Sequence, residues 1–256
     1  MKKSISLVSL FMFLLFISLP SKTTLVYDNE PITTLQEMST YLESLGTPID
    51  TLNDMSSQAK QTIYSVLKDH PDAIFIFRSP SQFVDLQAQQ NSEESEEKAI
   101  ISSSDLKLGA TIYQMGNSND YTFFPEFTWT KNSNISNDHF GFALNAAQWN
   151  LSSSGFLDIY VSSFGLSDSF RYDRPASGSF SAEDYVMDGI NSATYTGIGV
   201  LYAFSTTTNP TKQIRVSYAQ DSSVLNNTTI NVSFGIFDIS YSGGSSMNTA
   251  SVLVNK

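Results

Sequence analysis

Residues 121–130 of this 256-residue chain read YTFFPEFTWT, with Tyr, Phe or Trp at most odd positions and Thr or Glu at most even ones. Large apolar side chains at every second position are typical of a β-strand that turns one face toward a hydrophobic core. Pro125 interrupts the pattern without changing its phase. Because proline has no backbone N–H to donate, we expect this residue on an edge strand or at a bulge.

The same alternation recurs downstream of this segment, in short stretches at 140–146, 157–161, 198–204, 214–218 and 250–254. Residues 229–241 alternate too, but their phase changes by one beside Gly235, which predicts one long strand with a β-bulge. No helical pattern separates these strands, so we expect antiparallel sheets packed face to face. The sequence therefore predicts a β-sandwich or jelly roll over residues 106–256, with a closed barrel as the alternative.

Helical patterns precede the strands. Thr34 and Glu37 form a capping-box sequence, and apolar residues follow at helical spacing until Gly46. A second amphipathic stretch starts near Ser56. We therefore predict a small N-terminal helical hairpin within residues 30–83, whose apolar stripes either face each other or cover another element.

Two segments join the helices to the strands. Residues 73–77, AIFIF, predict a short strand buried on both faces because no polar side chain interrupts them. Residues 84–105 are polar and include the acidic run EESEE at 93–97. We interpret them as a solvated linker, with a cation- or partner-binding loop as the alternative.

The N-terminus has the composition of an export signal. Lys2 and Lys3 precede an apolar run at residues 5–19, which is shorter than the roughly 20 residues that a spanning helix needs. We predict a signal peptide over residues 1–21, with an uncleaved membrane anchor as the alternative because no A-x-A cleavage site is present. The expected location is secreted or extracellular.

The composition narrows the class of protein. The chain has no cysteine, which excludes disulfides and thiolate metal sites, and exported proteins without cysteine are typical of Gram-positive bacteria. Fourteen Lys and Arg stand against 25 Asp and Glu, for a net charge of −11, which argues against nucleic acid as a partner. We attribute the Asn-x-Ser/Thr sequons to chance in an Asn-, Ser- and Thr-rich chain; they occur at Asn134, Asn150, Asn226, Asn227 and Asn231.

Catalytic motifs are scarce. His70 and His139 lie in different segments and match neither a hydrolase relay nor a zinc motif. Glu126 and Asp158 fall on the polar faces of their strands, so they are the candidate pair for glycoside hydrolysis, which requires two opposed carboxylates. We interpret both as solvent-exposed surface groups and expect no enzymatic activity.

No cofactor is expected, and calcium is the one ion for which the sequence offers ligands. The stretch NSND at 117–120 and the pair Asp184 and Asp188 carry oxygen donors that suit this ion. Asn and Asp are also ordinary turn residues, and we favour that interpretation.

Aromatic residues supply the candidate binding surface. Trp149 is out of phase with Phe140 and Phe142 and so falls on the face of Gly141 and Ala143. Small residues beside an exposed indole predict a flat shelf on which a sugar ring or an aliphatic chain can stack. Trp129, by contrast, is expected in the core.

The other candidate ligand-binding residues are two tyrosines and two arginines near one connection: Tyr160, Arg171, Tyr172 and Arg174. Arg and Tyr are enriched at protein interfaces. Gly197 and Gly199 stand in a strand opposite its aromatic face, where we expect them to permit close packing of another element.

These patterns favour an exported, non-catalytic protein of the bacterial surface or extracellular space that binds a protein or a glycan through a sandwich face or loops. The first alternative is a secreted pore-forming or toxin-like β-protein, whose amphipathic strands would form a membrane barrel and whose helices would be a removable shield. The less favoured alternative is a carboxylate-dependent glycan hydrolase.

Overall fold

The computed structural model describes residues 33–79, 82–83, 87–88, 105–116, 118–130, 137–152, 155–161, 165–172, 179–186, 195–221, 228–232, 237–241 and 247–256. Within this set, the residues from Thr34 onward belong to one compact unit. The predicted export signal and most of the acidic linker lie outside the described residues.

Three helices open the described chain: α1 (Leu35–Ser44), α2 (Ile49–Asp54) and α3 (Ser57–Leu67). The capping box is confirmed, since the Thr34 N–H donates to Glu37 Oε2 at 2.6 Å and the Glu37 N–H donates to Thr34 Oγ1 at 3.2 Å. The predicted hairpin lacked α2, because six residues carry too little periodicity to be recognised. Of the helices described, none is long and apolar enough to cross a bilayer.

The larger sheet has the strand order β1-β4-β5-β11-β8-β9, with β2 also pairing with β4 and β7 with β11. Its strands are β1 (Ile74–Arg78), β2 (Gln82–Phe83), β4 (Leu106–Gln114), β5 (Asp120–Trp129), β7 (Trp149–Leu151), β8 (Gly155–Val161), β9 (Gly165–Tyr172) and β11 (Tyr195–Ser205). The predicted strand at residues 73–77 corresponds to β1. It lies at the edge of the sheet rather than being buried on both faces, and Ile74 is 45% exposed.

The smaller sheet has the strand order β10-β6-β12-β15-β3. Its strands are β3 (Gln87–Ala88), β6 (Asn137–Ala143), β10 (Ser179–Val186), β12 (Gln213–Asp221) and β15 (Met247–Asn255). All strand pairings among the described residues are antiparallel, which confirms the predicted mainly β fold class with antiparallel sheets and helices near the N-terminus.

The predicted bulged strand at 229–241 is wrong. The structure has two strands there, β13 (Thr228–Val232) and β14 (Phe237–Tyr241), which pair with each other. Their register places Ile230 opposite Ile239 and Val232 opposite Phe237. The change of phase in the sequence therefore falls between two antiparallel strands that pair with each other, rather than at a bulge within one strand.

Between the two sheets lies the larger of two hydrophobic cores, here called the sandwich core. From the larger sheet it takes Phe123, Phe127 and Trp129, and from the smaller sheet Phe142 and Tyr218. Trp129 is thus in the core, as predicted.

The expected role of the two glycines in β11 is confirmed. A Cβ on Gly199 would lie 2.9 Å from Phe142 Cε1 and 2.9 Å from Pro125 Cγ, and a Cβ on Gly197 would collide with the Phe127 ring. Only glycine lets these side chains approach the strand so closely.

The opposite face of the larger sheet, here called the helix-side face, is covered by α1–α3. Its core takes Leu42, Ile63 and Leu67 from the helices, with Phe124 and Ile198 from the sheet. The expectation that the strands turn a polar face to solvent is therefore wrong for β4, β5 and β11, where most residues on both faces are buried. The apolar stripes of the helices cover the sheet, which is one of the two arrangements left open above.

Pro125 lies in β5, a central strand between β4 and β11 whose register is unshifted on both sides, so the prediction of an edge strand or a bulge is wrong. The β4–β5 ladder runs continuously past it, with Ala110 as its partner. The β5–β11 ladder instead passes from the pair Glu126–Ile198 directly to Phe123–Leu201. The proline is tolerated because the pairing is interrupted on that side of the strand and Gly199 leaves room for its ring.

Candidate functional site

The two carboxylates predicted as a catalytic pair lie in one row of the helix-side face. Glu126 on β5 and Asp158 on β8 both pair with Ile198, the residue between them on β11. Adjacent strands are about 4.8 Å apart, so the two backbones are separated by about 10 Å. Ile198 is fully buried between them, so in this structure the space is filled by an aliphatic side chain and the helical layer.

Glu126 is buried in an ion pair with Arg78 of β1. Arg78 Nη2 donates to Glu126 Oε1 at 2.7 Å and Nη1 donates to Oε2 at 3.1 Å. Nη1 also donates to Thr111 Oγ1 at 2.8 Å, and Asp54 Oδ2 of α2 lies 3.7 Å from Nε. The expectation that Glu126 is a solvent-exposed carboxylate is therefore wrong, because the polar face of β5 is covered by the helices.

The register explains how Arg78 reaches across a whole strand. Arg78 is paired with Thr111 on β4, and Glu126, one strand further on, is paired with Gly109. Glycine offers no side chain between the guanidinium and the carboxylate. Sequence reasoning missed Arg78, although a lone cation directly after the apolar strand IFIF was a signal for a buried partner.

Asp158 joins a second polar cluster, which fastens α3 to β8. Thr62 Oγ1 and Tyr160 Oη are 2.7 Å apart, and Thr62 also donates to Asp158 Oδ2 at 3.4 Å. Ser169 Oγ donates to Asp158 Oδ1 at 2.7 Å. Both carboxylate oxygens of Asp158 therefore accept hydrogen bonds from neighbouring hydroxyls.

A third contact lies at the other end of the helical layer. Thr47, in the turn between α1 and α2, shares a 2.7 Å hydrogen bond with Tyr113 Oη on β4. Burial raises the pKa of Tyr113 to about 12, and the hydrogen bond with Thr47 and the nearby charge of Arg78 act in the opposite direction. Burial also raises the pKa of Tyr160, although the hydrogen bond with Thr62 acts in the other direction.

The predicted aromatic shelf at Trp149 is wrong. This side chain is 1% exposed and packs edge-on against Tyr121 and Phe123, with ring centroids 5.0 and 5.1 Å away. Its indole N–H donates to the Thr211 carbonyl at 3.2 Å. Phase counting failed because a turn separates β6 from Trp149, which begins β7 in the other sheet, so the two segments are not one strand.

The remaining predicted ligand-binding residues divide into two groups. Tyr160 is 5% exposed and hydrogen-bonded beneath α3, so its position does not fit an open recognition surface. The side chains of Arg171 and Tyr172 on β9, and the whole of Arg174, lie outside the described part of the structure. Their proposed role stays a prediction.

The proposed calcium ligands are only partly described. Asn117, Asp188 and the side chain of Asp184 lie outside the described residues. In the 117–120 turn, Ser118 Oγ donates to the Met115 carbonyl and accepts from the Asp120 N–H, which is ordinary turn chemistry. No group of three or more His, Asp or Glu residues close enough to hold a metal occurs in the part of the chain that the structure describes.

Part of the outer face of the smaller sheet, the face turned away from the sandwich core, is accessible among the described residues. Along β15, Ser251 and Asn255 are exposed and Leu253 is 37% exposed. Arg215 on β12 pairs with Leu253 across the ladder and donates through Nη1 to Ser251 Oγ at 3.0 Å. Gly141 and Ala143, which the sequence placed under the indole shelf, pair with Ser217 and Arg215, but Gly141, Ala143 and Ser217 are buried, so the accessible part of this face lies along β15.

Comparisons with known proteins were made at the level of families, sequences and folds. No family model matches the chain, and no curated protein matches it significantly. Several solved structures resemble it weakly, and three of them are as follows.

The first is the enzymatically active domain of tailspike protein 4 of bacteriophage CBA120, with 11% identity, 52% of this chain and 18% of that chain covered, and a TM-score of 0.24. The second is TmCBM61 in complex with β-1,4-galactotriose. The two sequences are 8% identical, the match covers 49% of this chain and 86% of that chain, and the TM-score is 0.22. The third is described as a pore forming protein. The two sequences are 8% identical, the match covers 72% of this chain and 92% of that chain, and the TM-score is 0.28. This chain spans less than a fifth of the tailspike domain, and TM-scores this low establish no shared family or activity.

Proposed function

We propose that this chain is an exported, non-catalytic binding protein of the bacterial surface or extracellular space. Its ligand, a protein or a glycan, binds on the outer face of the smaller sheet at β12 and β15. The observation that carries the proposal is the contrast between described strands: β4, β5 and β11 of the larger sheet are mostly buried on both faces, whereas β15 keeps Ser251, Leu253 and Asn255 accessible.

The chemistry of this face suits a flat ligand with hydrogen-bond acceptors. Arg215 provides a guanidinium that Ser251 holds in place, with the aliphatic Leu253 beside it. A planar cation next to an apolar contact can bind a carboxylate, a carbonyl or a sugar hydroxyl.

The test is a binding measurement with the protein lacking its predicted signal, against cell-envelope fractions and glycan arrays. Arg215→Ala is expected to weaken binding about tenfold or more, as truncation of an interface arginine commonly does. Lys60→Ala, which removes a cation from α3, serves as the matched control and is expected to bind as the unaltered protein does. Equal binding by the two variants would show that the ligand does not use this face.

The non-catalytic part of the proposal has its own test. It is supported by the bidentate contact of Glu126 with Arg78 and by the hydroxyl donors around Asp158. A panel of cell-wall polysaccharides should remain uncut. If hydrolysis occurs and Glu126→Gln and Asp158→Asn both abolish it without unfolding the protein, the chain is a hydrolase and this part of the proposal fails.

The second candidate function is a pore-forming protein, favoured by the helical layer that covers apolar sheet residues such as Phe124, Ile198 and Val200. Removal of such a layer would bare a surface that could enter a bilayer. Dye leakage from lipid vesicles separates this candidate from the first. A pore-forming protein releases the dye at nanomolar to micromolar concentration, whereas a binding module leaves the vesicles intact.

A further inference from the structure

The larger sheet is held by two interfaces of different chemistry. In the sandwich core, aromatic rings pack against one another; for example, Phe127 lies 4.8 Å from Phe140 and 5.0 Å from Tyr218, centroid to centroid. On the helix-side face, apolar contacts are interleaved with polar ones, notably the Thr47–Tyr113 hydrogen bond. The helical layer is therefore held in part by contacts that water can replace.

Polar contacts join the helical segment to the strands. Among the described residues they include the side-chain contacts of Thr47 with Tyr113, Thr62 with Tyr160 and Asp158, and Asp54 with Arg78, and a backbone hydrogen bond from the Phe75 N–H to the Leu45 carbonyl at 2.9 Å. A hydrogen bond contributes little net stability, because both partners bond to water when they separate. The Asp54 side chain is 56% exposed, so its attraction to Arg78 is screened by solvent.

Buried polar atoms without a hydrogen-bond partner also lie on the helix-side face. Among the described residues these are Arg78 Nε and Thr122 Oγ1, whereas the sandwich core holds one such atom, Trp129 Nε1. Leaving a polar atom buried without a partner costs stability. Water that enters between the helices and the sheet would satisfy both groups, which lowers the cost of opening there.

The helices are also bound to one another. Tyr41 Oη of α1 donates to the Leu67 carbonyl at the end of α3 at 2.6 Å, and the rings of Tyr41 and Tyr64 pack edge-on 5.4 Å apart. Because α1–α3 are contiguous in sequence and precede β1, the layer can leave the sheet without breaking any strand pairing.

We propose that α1–α3 form a detachable cover, which opens from the larger sheet as a unit under native conditions while the two sheets stay packed together. Opening uncovers an apolar and aromatic strip that includes Phe124, Ile198 and Val200. The fold thereby holds a hydrophobic surface that is accessible to solvent only in the open state.

The absence of cysteine makes a direct test possible. Ala59 on α3 and Ala203 on β11 are both fully buried. Ala59 lies in the helix-side core, on the inner side of the cover, and Ala203 lies in the sandwich core. Each is replaced by cysteine in turn, and its modification by a thiol reagent is timed without denaturant. We expect the thiol of Ala59→Cys to react about 100-fold faster than that of Ala203→Cys, because it needs only local opening. Equal rates would overturn the proposal.

A second pair of variants tests whether the polar contacts hold the cover closed. In the Ala59→Cys protein, Tyr160→Phe removes the bond with Thr62 and should speed the reaction about fivefold to tenfold. Tyr121→Phe makes the same change on the sandwich side of β5 and should leave the rate of thiol modification unchanged. If Tyr160→Phe speeds Ala59→Cys and Ala203→Cys equally, the cover opens only when the whole protein unfolds, and the proposal fails.

Hydrogen exchange on the unaltered protein guards against effects of the substitutions themselves. The amides of α3 should exchange with a lower opening free energy than those of β5 and β11. A single opening free energy shared by α3 and both strands would contradict the proposal without the use of any variant.

Discussion

Arg78 on β1 donates to both carboxylate oxygens of Glu126 on β5, across the full width of β4. The contact ties an edge strand to a central strand beneath the helices. Burial of the pair means that removing one partner leaves an uncompensated charge, which is more costly than the pair itself is stabilising.

Loss of one partner of this pair should destabilise the fold. We expect Arg78→Met to lower the free energy of unfolding by about 3–5 kcal/mol, because the Glu126 carboxylate would stay buried without its counter-charge. Urea unfolding followed by circular dichroism measures the effect. The double variant Arg78→Met with Glu126→Leu should recover much of the loss; a double variant as unstable as the sum of the two single ones would contradict this account.

Trp149 should matter for stability rather than for recognition. Trp149→Ala removes a buried indole packed on Tyr121 and Phe123, and should cost about 3–5 kcal/mol. Tryptophan fluorescence offers an independent check, since Trp129 and Trp149 are both buried and the native emission should be blue-shifted. A variant of unchanged stability would mean that the indole is not packed in this way.

Gly199 should tolerate no larger residue. In Gly199→Ala the added carbon would meet both Phe142 and Pro125 at 2.9 Å, and we expect about 1–3 kcal/mol of destabilisation from overpacking. Phe142→Leu in the same chain should relieve part of the strain. The prediction fails if Gly199→Ala unfolds at the same urea concentration as the unaltered protein.

Stability should fall in strong alkali through Tyr113. Its pKa is raised to about 12 in the folded protein, against about 10 when unfolded, so the neutral phenol is favoured by folding. This contribution is fully present below pH 10 and is lost as the pH rises toward 12, by about 3 kcal/mol. Urea unfolding between pH 9 and 12 measures it. Tyr113→Phe should flatten the loss, and an identical pH profile would exclude Tyr113 as its cause.

Much of the fold could be predicted from the sequence because period-two alternation and capping sequences are local signals. The strands of the sandwich and the Thr34 cap follow directly from them. The alternation at Tyr121–Trp129 shows that the two faces of β5 differ, but it cannot show what covers the second face. Thr122 and Glu126 are equally compatible with water and with a helical layer that carries polar groups.

The candidate site could be predicted less well, because it depends on contacts between residues that are distant in sequence. Glu126 and Asp158 were identified as a pair, and the register does bring them to one row. The partner of Glu126, Arg78, comes from β1, and the partner of Asp158, Thr62, comes from α3. No local sequence pattern links either residue to its carboxylate. Trp149 was misplaced for a similar reason, since the turn before it changes sheets.

The short strands β2 and β3 stand only a few residues apart, yet β2 pairs with β4 of the larger sheet and β3 with β15 of the smaller one. One piece of chain thus occupies hydrogen-bonding edges of both sheets on the same side of the molecule. Open strand edges are templates for uncontrolled association between molecules. Without β2 and β3, the edges of β4 and β15 that they pair with would be bare, and association between molecules would be the expected consequence.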